Sequence, residues 1–448
     1  MHAEEIVRMA IRSGFDEAVA TVSAENSSYL KLANSGIDSI VEKRYSYATL
    51  FVTSKNRIFF ADIQNPSRDD ALNSIRLARQ QMRFIAAKED YRGIAEGPFE
   101  YARGGKVPVE MRDYGQDALV DIAESMLSGA SISRSAEIAG TVHMSMSDYE
   151  LYTSNGLYGK GSYPAVGASI RVIGKETSFQ DFLVSRGLKG NDFEGFGRNA
   201  SEMLSAAKST GKIRPGKYDV VYLQSPGGSL LSNVTSQACI SSVETGSFLG
   251  GKLGQKVADS NVTVYDSGAE RGGVGFSAFD DEGYPTQRTA VIKDGVLKNY
   301  LHNSSTAKKY GTKSTGNAGL VSPRPNTMLF RHRKTVNDVH ALLGEMRKGL
   351  LVTNTWYTRF SNYLTGDFST VPRDLTFYVE DGEPKFAIRQ VKKIGSFIGV
   401  RISDNMLRMM GNAECAAMDM RQSTSWESEG TYYTMPSVLI RDVSVTTS

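Results

Sequence analysis

Two hydrophobic periods alternate along the start of the chain. Residues 3–12, AEEIVRMAIR, place apolar side chains three and four apart, which predicts a helix with one buried stripe. SSYLKLANSGIDSIVEKRYSYATLFVTSKNRIFFADI then alternates with period two around NSG and SKN, which predicts strands joined by tight turns. The helical period returns in SRDDALNSIRLARQQMRFI, with Ser67 as N-cap and two acids in the first turn.

The same order comes again. Residues 113–128 are helical in pattern, and AEIAGTVHMSMSDYELYTSNGLYGKGSYPAVGASIRVIG makes strands around an SNG turn. This parallel with the NSG hairpin hints at a degenerate internal repeat. A helix in NASEMLSAAKST runs into GKIRPGK, whose Gly, Pro and Lys mark a domain boundary near residue 212. The chain is therefore expected to divide into residues 1–212 and 213–448.

Beyond the boundary YDVVYLQ, VTVYDSG, TAVIKDGVLKNYLH, GLLVTNTWYT, DLTFYVEDGEPKFAI and SVLIRDVSV read as strands between Gly, Asp and Asn turns. One inserted helix is predicted over roughly 337–348. The fold class is α+β: an N-terminal domain of helices packed on antiparallel sheet, then a mainly antiparallel β domain with inserted helices.

Composition narrows the function classes. The 448 residues are 40% hydrophobic and 23% charged, with no apolar run long enough to span a bilayer. The N-terminus carries acids rather than a signal-peptide core, so the cytoplasm is the expected location and a membrane is not. Cys239 and Cys415 make no disulfide framework and no C-x-x-C pair, so both are expected reduced. Fifty-two basic residues against 49 acidic ones give too weak a field for nucleic acid.

Several stretches invite chemistry. GSFLGGK at 246–252 matches part of a phosphate loop, but Leu253 stands where Ser or Thr would hold magnesium, and no apolar strand precedes Gly246. SPGGS at 225–229 reads as a turn that could also seat an anion. His2, His143, His302, His332 and His340 never pair at helical spacing, so no zinc helix is present. Glu244 stays open as an acid or base, whereas Asp280, Asp281 and Glu282 are expected to be solvated turn residues. TNTWYTRFSNY at 353–363, with Trp356, Tyr357, Arg359 and Asn362, suits a peptide or partner contact and equally a half-buried strand edge.

The ordered motifs LLSNVTSQ, SFLGGKLGQKV, FDDEGYPTQRTAVIKDGVLKNYLHNSSTAKKYG, STGNAG, SPRPNTML, GDFS and PSVLIRDVSV resemble the TldD/TldE (PmbA) family, also called modulators of DNA gyrase. ANSGIDSIVEKR and YTSNGLYG extend the resemblance over nearly the whole chain. In that family the active subunit, TldD, is a zinc peptidase whose helix carries His-Glu, three residues and a second His directly after a Leu-Leu pair. Aligned through Leu230 and Leu231, the first ligand falls on Ser232, the base on Asn233 and the second ligand on Gln237. A hydroxyl and two amides are weak neutral ligands, and an amide cannot take a proton from zinc-bound water. The active type also has a Cys ligand near the C-terminus, but the sequence around Cys415 does not match that motif.

The resemblance therefore implies the TldE branch: no catalytic residue and no metal ligand here, with zinc in a TldD-type catalytic partner. It also implies peptides or unfolded segments as substrate of the complex, with a homodimer open to the chain in isolation. Two rivals stand beside it. One is an active hydrolase in which His302, His332, Glu244 or Cys415 converge on a metal, and the other is a binding module for nucleic acid or protein unrelated to proteolysis.

Overall fold

The computed structural model describes every residue except 103–105, 132–135, 390, 394, 395, 427–429 and 448. Its first half is built from one pattern used twice. Helix α1 (Ala3–Arg12) precedes β1 (Glu17–Ala33), β2 (Gly36–Ser54) and β3 (Arg57–Gln64), and α2 (Arg68–Met82) follows. Then α3 (Gln116–Ala130) precedes β4 (Glu137–Thr153), β5 (Tyr158–Ile173) and β6 (Ser178–Ser185), and α4 (Phe193–Ser205) closes the second copy.

The six strands form one antiparallel sheet in the order β3-β2-β1-β4-β5-β6, so the two units meet at the β1–β4 pair like mirror-ordered halves. The repeat hinted at by the NSG and SNG turns is thus a repeat of topology. Turn chemistry sets the hairpins: Asn34 and Ser35, then Lys55 and Asn56, occupy the left-handed region that two-residue turns between twisted strands require. Ser67 caps α2 by accepting from Asp70 N, as its position predicted.

Helices α1 and α2 cover the first unit, burying Ala3, Ile6, Val7, Ala10, Ala71, Ile75 and Ala78. Helices α3 and α4 cover the second, and they cross in backbone contact. A Cβ on Gly129 would lie 1.9 Å from Glu194 O, and one on Gly197 2.1 Å from Met126 O, so both positions need the bare glycine. The core around them runs on through Leu119, Met126 and Phe196 to Val221, Leu351 and Leu439 of the second half.

After β7 (Thr210–Gly211) and β8 (Gly216–Tyr222) come three short helices: α5 (Gln224–Leu231), α6 (Asn233–Ala238) and α7 (Ile240–Gly246). They are followed by β9 (Val262–Ser267), β10 (Arg288–Lys293), β11 (Val296–Leu297), α8 (Ser304–Lys309) and β12 (Thr327–His332). Two sheets organise this half. The smaller is β11-β10-β9-β12 extended by Tyr433–Met435 and Arg421–Ser423. In the larger one, β8 lies between Val438–Thr447, antiparallel, and Lys348–Val352, parallel.

Tyr222, Leu230, Leu231, Phe248, Val264 and Phe330 fill the space between the two sheets. The helix read over 337–348 is confined to Val339–Gly344, because the chain turns to enter the strand at Lys348. KDG and EDGEP form the turns expected, with Asp294, Gly295, Asp381 and Gly382 all left-handed.

Candidate functional site

The LLSNVTSQ segment sits on helices packed between the sheets. Helix α5 lies directly on the strand Tyr433–Met435: a Cβ on Gly228 would come within 1.9 Å of the Tyr433 ring. The glycines of SPGGS thus serve this close approach, and Ser225 Oγ donates to Thr424 O at 2.8 Å. Ser232, itself in right-handed helical geometry, joins α5 to α6, and Cys239, in extended geometry, separates α6 from α7.

Ser232, Asn233 and Gln237, the three positions singled out by the resemblance, are half-buried. Ser232 Oγ donates to Ser229 O at 3.1 Å. Asn233 Nδ2 donates to Leu230 O at 2.9 Å and Ser229 O at 3.2 Å, so its amide closes on its own helix. Gln237 Oε1 is buried with no hydrogen-bond partner among the described residues. This neutral donor set does not fit zinc.

The dispersed candidates separate into groups. His332 holds Lys334 O at 2.9 Å and Ala413 O at 3.2 Å, next to the strand Ala413–Ala417 that buries Cys415. Burial pushes both thiols up, Cys239 to about 12, so neither is poised as a nucleophile or ligand. Glu244 and His302 share another region, the wall of a cavity of about 790 Å³ with Arg288, Lys298 and Tyr310. Burial opposes the charge on Glu244, but Lys309 Nζ at 2.5 Å and Tyr310 OH at 2.7 Å hold its pKa below the ordinary value. Lys309 also reaches Asp90 at 2.6 Å, so Glu244 belongs to a structural ion network. Among the described residues no three His, Cys, Asp or Glu side chains gather around one possible ion position.

The acidic trio is corrected by the structure. Asp280 and Glu282 are 7% and 2% exposed rather than solvated, because this turn packs under the first sheet beside Glu17. Asp281 alone reaches the surface side, paired with Arg324 at 2.8 Å. Nothing in FDDEGYP distinguishes a turn in water from one docked on another sheet.

The aromatic stretch is only briefly a strand, Arg359–Asn362, which forms one edge of the larger sheet. Trp356, Tyr357 and Arg359 line a small pocket of about 190 Å³ with Arg401. Asn362 stands apart, its side chain accepting from Leu364 N at 2.9 Å to shape the following turn. Trp426, which the sequence reading did not single out, joins the cluster. Its Nε1 donates to Thr355 O at 2.8 Å, its ring meets that of Trp356 edge to face at 5.2 Å, and the Arg373 guanidinium packs against both, 4.5 Å from the Trp426 centroid and 4.7 Å from that of Trp356. That both tryptophans of the chain meet here was the one clue available, and it required the fold to be read.

Two family models match parts of the chain. Residues 110–208 match the PmbA/TldA metallopeptidase central domain, and residues 215–447 match the PmbA/TldA metallopeptidase C-terminal domain. The chain belongs to the PmbA/TldD family. A metalloprotease of Archaeoglobus fulgidus is 30% identical over 247 residues, 52% of this chain and 56% of that protein. The metalloprotease PmbA of Escherichia coli O157:H7 is 28% identical over 204 residues, 45% of this chain and 43% of that protein. The chain thus spans about half the length of the relatives it matches in sequence. In structure it is similar to TldE from Thermococcus kodakarensis, with a TM-score of 0.85 and 19% identity over 99% of each chain, which shows a shared PmbA/TldD fold.

Proposed function

We propose that this chain is a TldE-type, non-catalytic subunit of a cytoplasmic TldD/TldE metallopeptidase that cleaves peptides or unfolded segments. The observation that carries the reading is the helical segment around Ser232, Asn233 and Gln237, whose side chains offer no charged ligand and no base. A TldD-type partner supplies the zinc and the catalytic groups.

The edge strand Arg359–Asn362, beside Trp356 and Tyr357, suits peptide held by strand addition, in which backbone bonds give affinity with little sequence preference. The test is metal per chain on untagged protein purified alone without chelators, followed by peptidase assays with and without a TldD-type chain. Metal near zero, with cleavage only when both chains are present, supports the reading. Stoichiometric metal with peptidase activity in the isolated chain overturns it.

A further inference from the structure

Helix α7, strand β10 and the segments 298–302 and 310–315 enclose the cavity of about 790 Å³, which none of Ser232, Asn233 and Gln237 lines. Among the described residues its wall holds one acid, Glu244, against Arg288, Lys298 and Lys313. Lys309 Nζ already neutralises Glu244 at 2.5 Å, and Arg288 pairs with Glu270 at 2.5 Å. Lys298 and Lys313 are exposed and make no ion pair among the described residues, so the wall keeps positive charge without a counter-ion. At its base His302 is 6% exposed, with Nδ1 buried and without a hydrogen-bond partner among the described residues. Burial lowers the His302 pKa, so the ring is neutral at pH 7 and leaves the excess charge to the lysines.

The polar groups beside these charges select the kind of anion. Gln287 Nε2 donates to Ser314 O at 2.9 Å and Asn299 Nδ2 donates to Ala290 O at 2.8 Å, which leaves Oε1 and Oδ1 as acceptors. Such oxygens repel a phosphate but accept from the N–H groups of a peptide. A phosphate is cradled instead by free backbone N–H groups. Those of the glycine-rich stretch beside the cavity are already engaged, because Gly250 N donates to Ser247 O at 2.9 Å and Lys252 N to Leu249 O at 3.2 Å. Val243 and Leu253 add an apolar side, and Leu253 is 55% exposed where a ligand would cover it.

We propose that this cavity binds the C-terminal end of a peptide, with its free carboxylate on Lys298 and Lys313, its backbone N–H groups on Gln287 and Asn299, and its last side chain against Val243 and Leu253. The inference rests on the peptidase reading above, since hydrolysis of a peptide bond leaves each new C-terminus as a carboxylate. Flexible lysines meet that group as point charges, which suits chain ends of varied sequence.

The experiment uses the full chain alone and a short unstructured peptide, labelled at its N-terminus and ending in leucine, as free acid and as carboxamide. Fluorescence anisotropy is expected to show the acid binding about tenfold more tightly than the amide. The double variant Lys298→Gln with Lys313→Gln, both at exposed positions, should lose that preference with unchanged thermal unfolding. Arg359→Ala, at the other peptide contact, should keep it. Equal affinity for acid and amide, a preference that survives the double variant, or displacement of the peptide by inorganic phosphate at equal concentration overturns the proposal. The measurement needs neither metal nor a second chain, so it stays readable if the isolated chain proves to be an active peptidase. A metal-free, partner-dependent chain that shows no preference for the free acid sinks this inference alone.

Discussion

Glu282 donates its backbone N–H to Asp280 Oδ1 at 3.1 Å, which locks two buried carboxyl groups into one turn beneath the first sheet. Asp280 also accepts from Tyr284 N and Ala318 N, both at 2.9 Å, whereas Glu282 accepts from Ser304 N at 3.3 Å. Burial raises both pKa values, Asp280 to about 7 and Glu282 to about 8, and for Glu282 the Asp280 charge adds to it. Groups raised on folding contribute stability that is complete below their unfolded values and lost as pH rises through the folded ones. The stability these two groups contribute is therefore expected to fall as pH rises from about 4 to 8. Glu282→Gln should flatten that slope in thermal unfolding, and an unchanged slope would contradict the assignment.

On the acid side the sign reverses at His143. Its ring stacks on Tyr29 at 4.1 Å, Nε2 is buried without a hydrogen-bond partner among the described residues, and burial lowers its pKa to about 4. A depressed pKa gives stability present above the unfolded value of 6.5 and lost as pH falls through about 4. Replacing His143 with Phe should remove part of the acid loss, read as a smaller fall in melting temperature between pH 6.5 and 4.

Asp374 ties the two halves together. Its side chain, fully buried, accepts from Ser178 Oγ at 2.6 Å and Asn354 Nδ2 at 2.9 Å and pairs with Arg171 of β5. Asp374→Ala leaves Arg171 without its counter-charge and is expected to cost about 3 kcal/mol in denaturant unfolding. Asp374→Asn keeps the left-handed backbone comfortable and should cost less.

Gly228→Ala tests how α5 is seated. The added methyl meets the Tyr433 ring, so one element must shift, at about 1–3 kcal/mol. Glycine at neighbouring Gly227 is less constrained, since its Cβ would meet the flexible end of Met435 at 2.8 Å. Gly227→Ala should therefore be the milder change in a side-by-side melt.

If the edge beside Trp356 holds peptide, Arg359→Ala should weaken peptide capture by the complex about tenfold, the equivalent of 1.4 kcal/mol. Asn362→Ala, which touches only the following turn, should leave affinity unchanged while loosening residues 362–366. Fluorescence anisotropy of a labelled unstructured peptide separates the two.

Local signals decided most of the architecture. The helices of the first half, the Ser67 cap and the hairpins at NSG, SKN, SNG, KDG and EDGEP were legible, because each depends on side-chain period and on cap or turn residues within a few positions. The repeat was legible only as an echo, since period and turns do not say that β1 pairs with β4 across more than a hundred residues. Family membership was carried by motif order, and that Ser232, Asn233 and Gln237 carry no charge is a matter of residue type alone.

Tertiary structure decided the rest. FDDEGYP carries the same polar residues whether it faces water or a sheet, and only packing against β1 made Asp280 and Glu282 buried acids. Trp426 lies seventy residues from Trp356 in the chain, yet the two clasp Arg373, a contact no local pattern encodes. Burial and long-range neighbours are properties of the whole chain folded, because the field and the solvent at each group come from residues distant in sequence.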